Sequence, residues 1–357
     1  MTYNVSISIA LAVLAGILAL LTIATAMRRA FVNAHDRRQG RLEAALRPRL
    51  LRLLATEDPD LDALAPQGKH AGRVLDALAA GLLPKLRGSD RAGVVELLER
   101  RGAVDRACRA TMSRRAVLRA RAAEQLGNIG LHRTQPDVAR LLHDRHPEVR
   151  AAAARALGKQ GDVESAPSLL RALDNGLVPA NVVSMALMRL GDRSAPLLEM
   201  TLRESSVPSR VVCCELLGLF GAVGAVPAIA AIATTDPGYW SRLAAIRALG
   251  RIGSPKCLAP LLTCLHADRH AHRAEAARAL GRLGATDAIA ELVAALDDEH
   301  DVAFAAAAAL TALGPEGMRT LETIGATPLR AGRYATEALI VHALEHERHA
   351  PSQFAAA

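Results

Sequence analysis

The sequence predicts an all-α chain: a right-handed α-solenoid of helix pairs preceded by one N-terminal transmembrane helix. Two observations predict the solenoid. A Leu-Gly pair recurs at Leu126-Gly127, Leu157-Gly158, Leu190-Gly191, Leu217-Gly218, Leu249-Gly250, Leu280-Gly281 and Leu313-Gly314, with steps of 31, 33, 27, 32, 31 and 33 residues between the glycines. A period near thirty marks stacked supersecondary units. Within the units an Ala-rich stretch ending in glycine is followed by a second apolar stretch that often opens with a proline. A third observation predicts the membrane helix: residues 5–26 run for 22 residues without a charge.

At about 1.5 Å per residue that run reaches across a hydrocarbon core of roughly 30 Å. The alternative is a cleaved signal peptide, since Ala24-Thr25-Ala26 resembles a cleavage box. No Lys or Arg precedes the run, however, and Arg28 and Arg29 follow it at once, which favours an uncleaved anchor. The positive-inside rule then keeps Arg28, Arg29, Arg37, Arg38 and Arg41 in the cytoplasm. The expected location is the inner membrane, single-pass, with the N-terminus outside and the repeats in the cytoplasm.

Residues 28–57 read as an amphipathic helix with Leu42, Leu46, Leu50, Leu53 and Leu54 on one face and a kink at Pro48. It is either a solvated stalk or an arm held on anionic lipid by Arg47, Arg49 and Arg52. Asp58-Pro59-Asp60 and Ala65-Pro66-Gln67-Gly68 break the pattern. A helix is expected over 69–82, and another opens with Asp90 as its N-cap. The domain reading is therefore anchor 1–27, basic juxtamembrane helical region 28–88, solenoid with a C-terminal capping helix 89–348, and tail 349–357.

Residues 149–174 show one repeat most plainly. The first helix ends at Gly161, where a left-handed cap suits glycine, and the ending recurs at Gly130, Gly221, Gly253 and Gly284. Pro136, Pro167, Pro196, Pro227 and Pro260 fall in the first turn of the second helix, where a missing amide costs nothing. Alanines let neighbouring backbones approach, and neither helix buries its apolar face without the next repeat. Arg119, Arg150, Arg210, Arg242 and Arg273 each stand eight residues before Gly127, Gly158, Gly218, Gly250 and Gly281. With Asp144, Glu204, Asp236 and Asp268 just upstream of four of these arginines, they read as links between neighbouring repeats; the other reading is a basic ladder for an anionic ligand.

The pattern DxxxxVRxxAxxALGxxG at 144–161, and more loosely at 236–253 and 268–284, resembles HEAT repeats, in particular the short bacterial class also seen in phycobilin lyases. The resemblance covers about residues 90–344. It implies a curved array that binds a protein on a concave face lined by the second helices. The exposed polar positions expected there are Asp137, Arg140, Ser168, Arg171, Glu199, Thr263 and Glu291. The arrangement also looks like anchored bacterial HEAT proteins that accompany membrane enzymes such as glycosyltransferases. The function expected is a non-catalytic scaffold or adaptor for a protein partner, a membrane protein by this resemblance. The N-terminal helix and basic arm would contact the bilayer.

Composition narrows the alternatives. Residues 28–121 hold 21 Lys and Arg against 11 Asp and Glu, whereas residues 122–357 hold 23 against 25. The basic excess thus adjoins the N-terminal run, and the near-neutral array argues against nucleic acid. Aromatics make up only 2% of the chain, too few for base stacking or a cofactor cage. Five irregularly spaced cysteines suit reduced thiols. His342-Ala343-Leu344-Glu345-His346 fits an HxxEH zinc motif, and Cys257, Cys264, His266, His270 and His272 cluster around one turn without the spacing of a common zinc module. These are the features that an alternative metal-dependent or lyase-type enzyme would use. No GxxxxGK[ST], GxSxG or strand-following GxGxxG occurs. No cofactor and no catalytic residue is expected.

Overall fold

The structure, a computed structural model, describes residues 68–203 and 206–349 together with part of residues 20–52. Every regular element among the described residues is a helix. The chain divides into two compact units, Met1–Arg109 and Ala110–Ala357.

The first unit contains α1 (Lys69–Leu82), α2 (Gly88–Arg100) and most of α3 (Ala103–Ala110). Leu75, Leu83, Val94 and Leu98 are fully buried within it. One carboxylate ties the helices: Asp76, itself nearly buried, accepts from Arg101 Nε at 2.7 Å and from an Arg106 guanidinium nitrogen at 2.6 Å. Asp90 is not the N-cap. The helix opens two residues earlier, Arg87 occupies the cap, and Asp90 sits in the first turn, where a carboxylate still favours the positive helix end.

The second unit is a stack of helix pairs. Its longer helices, 11 to 14 residues each, are α4 (Ala116–Ile129), α6 (Pro147–Gln160), α8 (Ala180–Leu190), α10 (Val207–Leu219), α12 (Tyr239–Ile252), α14 (His270–Leu283) and α16 (His300–Ala312). Between them run α5 (Gln135–Arg140), α7 (Ala166–Asp174), α9 (Ala195–Leu202), α11 (Val226–Thr235), α13 (Leu258–Cys264) and α15 (Ile289–Ala294), and α17 (Pro315–Gly325) follows the last. The chain closes with α18 (Arg330–His349). A short 3₁₀ turn such as Val163–Ser165 leads into most of the second helices. The buried layer between the rows is made of Leu, Val and Ala, as the scarcity of aromatics requires.

The register differs from the sequence reading at two places. Gly191 and Gly314 are not the interior glycines of Leu-Gly pairs. Both have positive φ, 76° and 74°, and belong with the end glycines Gly130, Gly161, Gly221, Gly253 and Gly284. These seven positions recur every 30 to 32 residues, so the irregular 33- and 27-residue steps disappear. The interior position is held by Met188 in α8 and by Thr311 in α16, one turn before each cap. The partner alanines of Gly158 and Gly281 agree: Ala186 and Ala309 precede Met188 and Thr311 by two residues, as Ala156 precedes Gly158. Where Met188 replaces glycine, α8 and α10 pack less closely than the other neighbours in the row.

Most of the predicted anchor, residues 5–26, lies outside the described residues, as do Arg28, Arg37 and Arg38. Arg29 and Arg41 are exposed on helical backbone, and residues 40–50 stay helical through Pro48. Among the described residues no helix is long and apolar enough to cross a membrane. The single-pass inner-membrane location and the N-terminal transmembrane helix are therefore corrected: no span among the described residues supports them. In the closing helix α18, Ile340, Val341 and Leu344 are exposed.

Candidate interaction surface

The recurring arginines bind the array internally. Arg119 grips Asp144 of the next repeat through two nitrogens, at 2.5 and 2.7 Å, and donates back to the Ser113 carbonyl at 2.8 Å. Arg273 repeats the arrangement on Asp298, at 2.7 Å from each nitrogen, with the Ala267 carbonyl behind it. Arg210 pairs with Asp236 at 3.0 Å. Arg150 reaches the Leu177 carbonyl instead, and Arg242 the Ala233 carbonyl. Charge and hydrogen bonding hold Asp144 and Asp298 below the usual carboxylate range, the arginine hydrogen bond being the larger cause, and raise Arg119 and Arg273. Glu204 lies outside the described residues.

The interior glycines are contact points. A Cβ on Gly127, Gly158, Gly218, Gly250 or Gly281 would stand 2.6 to 2.8 Å from Ala156, Ala186, Ala248, Ala279 or Ala309 of the next long helix. Backbone therefore lies against backbone along this row, and side chains three residues before and one after each glycine are pushed to the outside. Positions four apart share a helix face. These are Glu124 and Asn128 on α4, Arg155 and Lys159 on α6, Met185 and Arg189 on α8, and Glu215 and Leu219 on α10. Arg247 and Arg251 on α12, Arg278 and Arg282 on α14, and Ala308 and Ala312 on α16 complete the ridge. Met188, Trp240 and Phe304 are further large apolar side chains exposed on the same helices.

The surface expected from the sequence was the other row. Asp137 and Arg140 on α5 pair with each other at 2.7 Å, and Arg140 also donates to Thr111. Arg171 donates to Ser168 at 3.2 Å on α7. Glu199 on α9 and Glu291 on α15 are half-buried, and the Thr263 hydroxyl on α13 donates to the Ala259 carbonyl. Sequence reasoning passed over the ridge because it followed the repeated letters, Leu, Gly and Ala. The signal was in the letters that change between them: the residue after each LG pair and the one three before its glycine.

The cysteine and histidine cluster does not converge. Cys257 and Cys264 are buried, Cys264 Sγ facing the Ala233 carbonyl. His272 is buried with Nε2 at 3.1 Å from the Tyr239 carbonyl, whereas His270 faces Glu299 at 3.2 Å. Among the described residues no group of three or more His, Cys, Asp or Glu side chains could hold a metal ion. His342 lies on α18, and the side chain of His346 is outside the described ones.

A family model described as HEAT repeats matches residues 109–188, 194–271 and 226–314, together more than half the chain. The "HEAT repeat-containing taxis protein OE_2401F" of Halobacterium salinarum is 30% identical over 194 residues, 52% of this chain and 42% of that protein. The chain thus spans less than half of that relative. Among solved structures, Kap121p aligns over 76% of this chain and 37% of its own at 14% identity, with a TM-score of 0.47. Human deoxyhypusine hydroxylase aligns over 79% and 100% at 23% identity, with a TM-score of 0.30.

Proposed function

The chain belongs to the HEAT-repeat family, and on that premise we propose that it is a non-catalytic scaffold binding a protein partner through the surface of its array. The observation that carries this reading is the ridge along the long helices. Met185, Met188, Leu219, Trp240 and Phe304 are each about half exposed or more, and arginines stand between them. Exposed apolar side chains gathered on one face are a feature of binding surfaces rather than of solvated ones. Arginine and aromatic residues are also the types enriched where partners dock.

The array gives such a surface a rigid base. Each ridge residue sits on a helix that takes part in a glycine–alanine backbone contact with a neighbouring long helix, α8 and α16 through Ala186 and Ala309 alone. Little side-chain or backbone order would have to be gained on binding, so less of the contact energy is offset by lost entropy.

The test is site-specific photocrosslinking in the full chain, with the reactive residue placed at Leu219 on the ridge or at Val223 in the turn that follows α10. The expected result is one protein crosslinked in stoichiometric amount from position 219 and not from 223. Absence of any protein crosslink at 219, 240 and 304 alike would sink the scaffold reading.

A further inference from the structure

We infer that the ridge section formed by α12 and α14 is a docking site for an acidic segment of a protein, one that carries carboxylates next to an apolar side chain. The inference rests on the scaffold reading and names the chemistry of its partner. Four arginines meet there: Arg247 and Arg251 on α12, Arg278 and Arg282 on α14. Three of them share one carboxylate. Glu275, only 7% exposed, lies 3.5 Å from Arg247, 3.4 Å from Arg278 and 3.0 Å from Arg282. The three arginine side chains stay 43–45% exposed.

Glu275 thereby fixes the arginines without neutralising them. Four positive charges against one negative leave a local excess of three. Neighbouring ridge positions reduce this excess without cancelling it: α16 presents Ala308 and Ala312, and α10 presents one carboxylate, Glu215. Guanidinium groups gathered around one carboxylate act together on an approaching anion. The geometry is also held in advance. Arg282 lies over Gly250, its guanidinium 3.0 Å from where a Cβ would stand, so the missing side chain on α12 is the space that the arginine fills. Planar guanidinium groups fixed in this way suit two-pronged pairing with carboxylates.

Size and surroundings select a protein segment over nucleic acid. Neighbouring helices stand about 8–10 Å apart, and residues four apart on a helix are separated by about 6 Å. A patch of those dimensions takes two or three carboxylates. A nucleic-acid site neutralises on the order of 6–10 phosphates along a continuous track, and the basic track here stops after two helices. Trp240, 64% exposed, stands two turns before Arg247 on the same face of α12, and Leu219 and Phe304 flank the cluster on α10 and α16. An apolar residue of the partner would rest on these while its acids meet the arginines.

The experiment uses the full chain and fluorescence anisotropy. The probes are a labelled peptide alternating Glu with Leu and Phe, the same peptide with Gln for Glu, and a single-stranded DNA of equal charge. The variant is Arg251→Glu with Arg278→Glu; thermal melting checks that it folds like the parent. The expected result is that the parent prefers the Glu peptide over the Gln peptide by about tenfold or more, and that the double variant loses that preference. Trp240→Ala is expected to weaken the Glu peptide several-fold without changing its salt dependence. Tighter binding of DNA than of the Glu peptide, or equal binding of the Glu and Gln peptides, overturns the inference. If position 219 still crosslinks a protein equally in parent and double variant, only the acidic-partner inference fails. If nothing crosslinks and no peptide binds, the scaffold reading fails with it.

Discussion

Gly158 lies against Ala186 so closely that a Cβ on it would stand 2.7 Å from the alanine Cα. The contact explains why a residue that weakens helices sits in the last turn of a helix, and it makes a prediction of opposite sign to helix propensity. Alanine is a better helix former than glycine by about 1 kcal/mol. At Gly158 the overpacking cost, typically about 1–3 kcal/mol, opposes that gain. Gly158→Ala is therefore expected to lower stability in chemical denaturation. Gly93→Ala, in the interior of α2 with nothing within 4 Å, is expected to raise it by about 0.5–1 kcal/mol. Gly161→Ala meets no atom either, but its φ of 75° penalises a side chain, so a loss of about 1 kcal/mol is expected. Equal effects at the three sites would refute the packing account.

The Arg119–Asp144 pair links one repeat to the next, and both side chains are more than nine-tenths buried. Asp144→Asn keeps the shape and removes the charge, leaving the guanidinium with a weaker partner. Removing one member of a buried pair is costly, and with the edge of this pair reaching solvent we expect a loss of about 2 kcal/mol. Arg150→Gln removes bonds to the Leu177 and Asp144 carbonyls but breaks no ion pair, so a smaller loss is expected. Denaturant midpoints of the two variants compare them directly; a larger loss at Arg150 would contradict the role given to Asp144.

The period, the helix pairing, the prolines and the end glycines were all legible in the sequence because each follows from a local backbone requirement. The register of two repeats was not. Leu190-Gly191 and Leu313-Gly314 carry the same letters as the true pairs, and only the distance to the left-handed cap separates them. The partners of the recurring arginines were partly legible: Asp144 and Asp236 stand in the sequence where the pattern puts them, but Asp298 was not singled out, and Leu177 pairs through a backbone carbonyl that no side-chain pattern reveals. The ridge was hidden for a different reason. Its net charge is diluted in the near-neutral total of the array, and its members come together only when two repeats are stacked.

Stability is expected to fall with acid in two separate windows. Burial, the larger cause, holds His272 below its ordinary value of 6.5, and the Arg242 and Arg269 charges push it the same way. The unfolded chain then takes up this proton first, so stability is full above about pH 6.5, declines as the pH falls below it, and stops declining once the folded histidine is also charged. Asp144 and Asp298 are held below 3.8 by their arginines. Their contribution is present above that value and is lost as the pH falls through the lower folded values. Denaturant midpoints at pH 8, 5.5 and 3.5 should show both declines. His272→Gln should remove the first and leave the second; a first decline that survives this substitution would show that another group causes it.

Four of the five cysteines should be inert in the folded chain. Burial pushes the Cys264 thiol up to about 11 and the Cys214 thiol up to about 12, and raises Cys213 further still. Against an ordinary value of 9.0 this cuts the reactive thiolate at pH 8 by roughly a hundredfold at Cys264 and a thousandfold at Cys214. Cys257 is buried as well, which leaves half-buried Cys108, near the boundary of the two units, as the thiol to react first. A thiol-specific chromogenic reagent at pH 8 is expected to titrate about one thiol quickly in the native chain and all five after denaturation. Fast labelling at Cys213 or Cys214 without denaturant would mean that α10 opens locally. The loose seam between α8 and α10, where Met188 takes the place of a contact glycine, is where such opening would start.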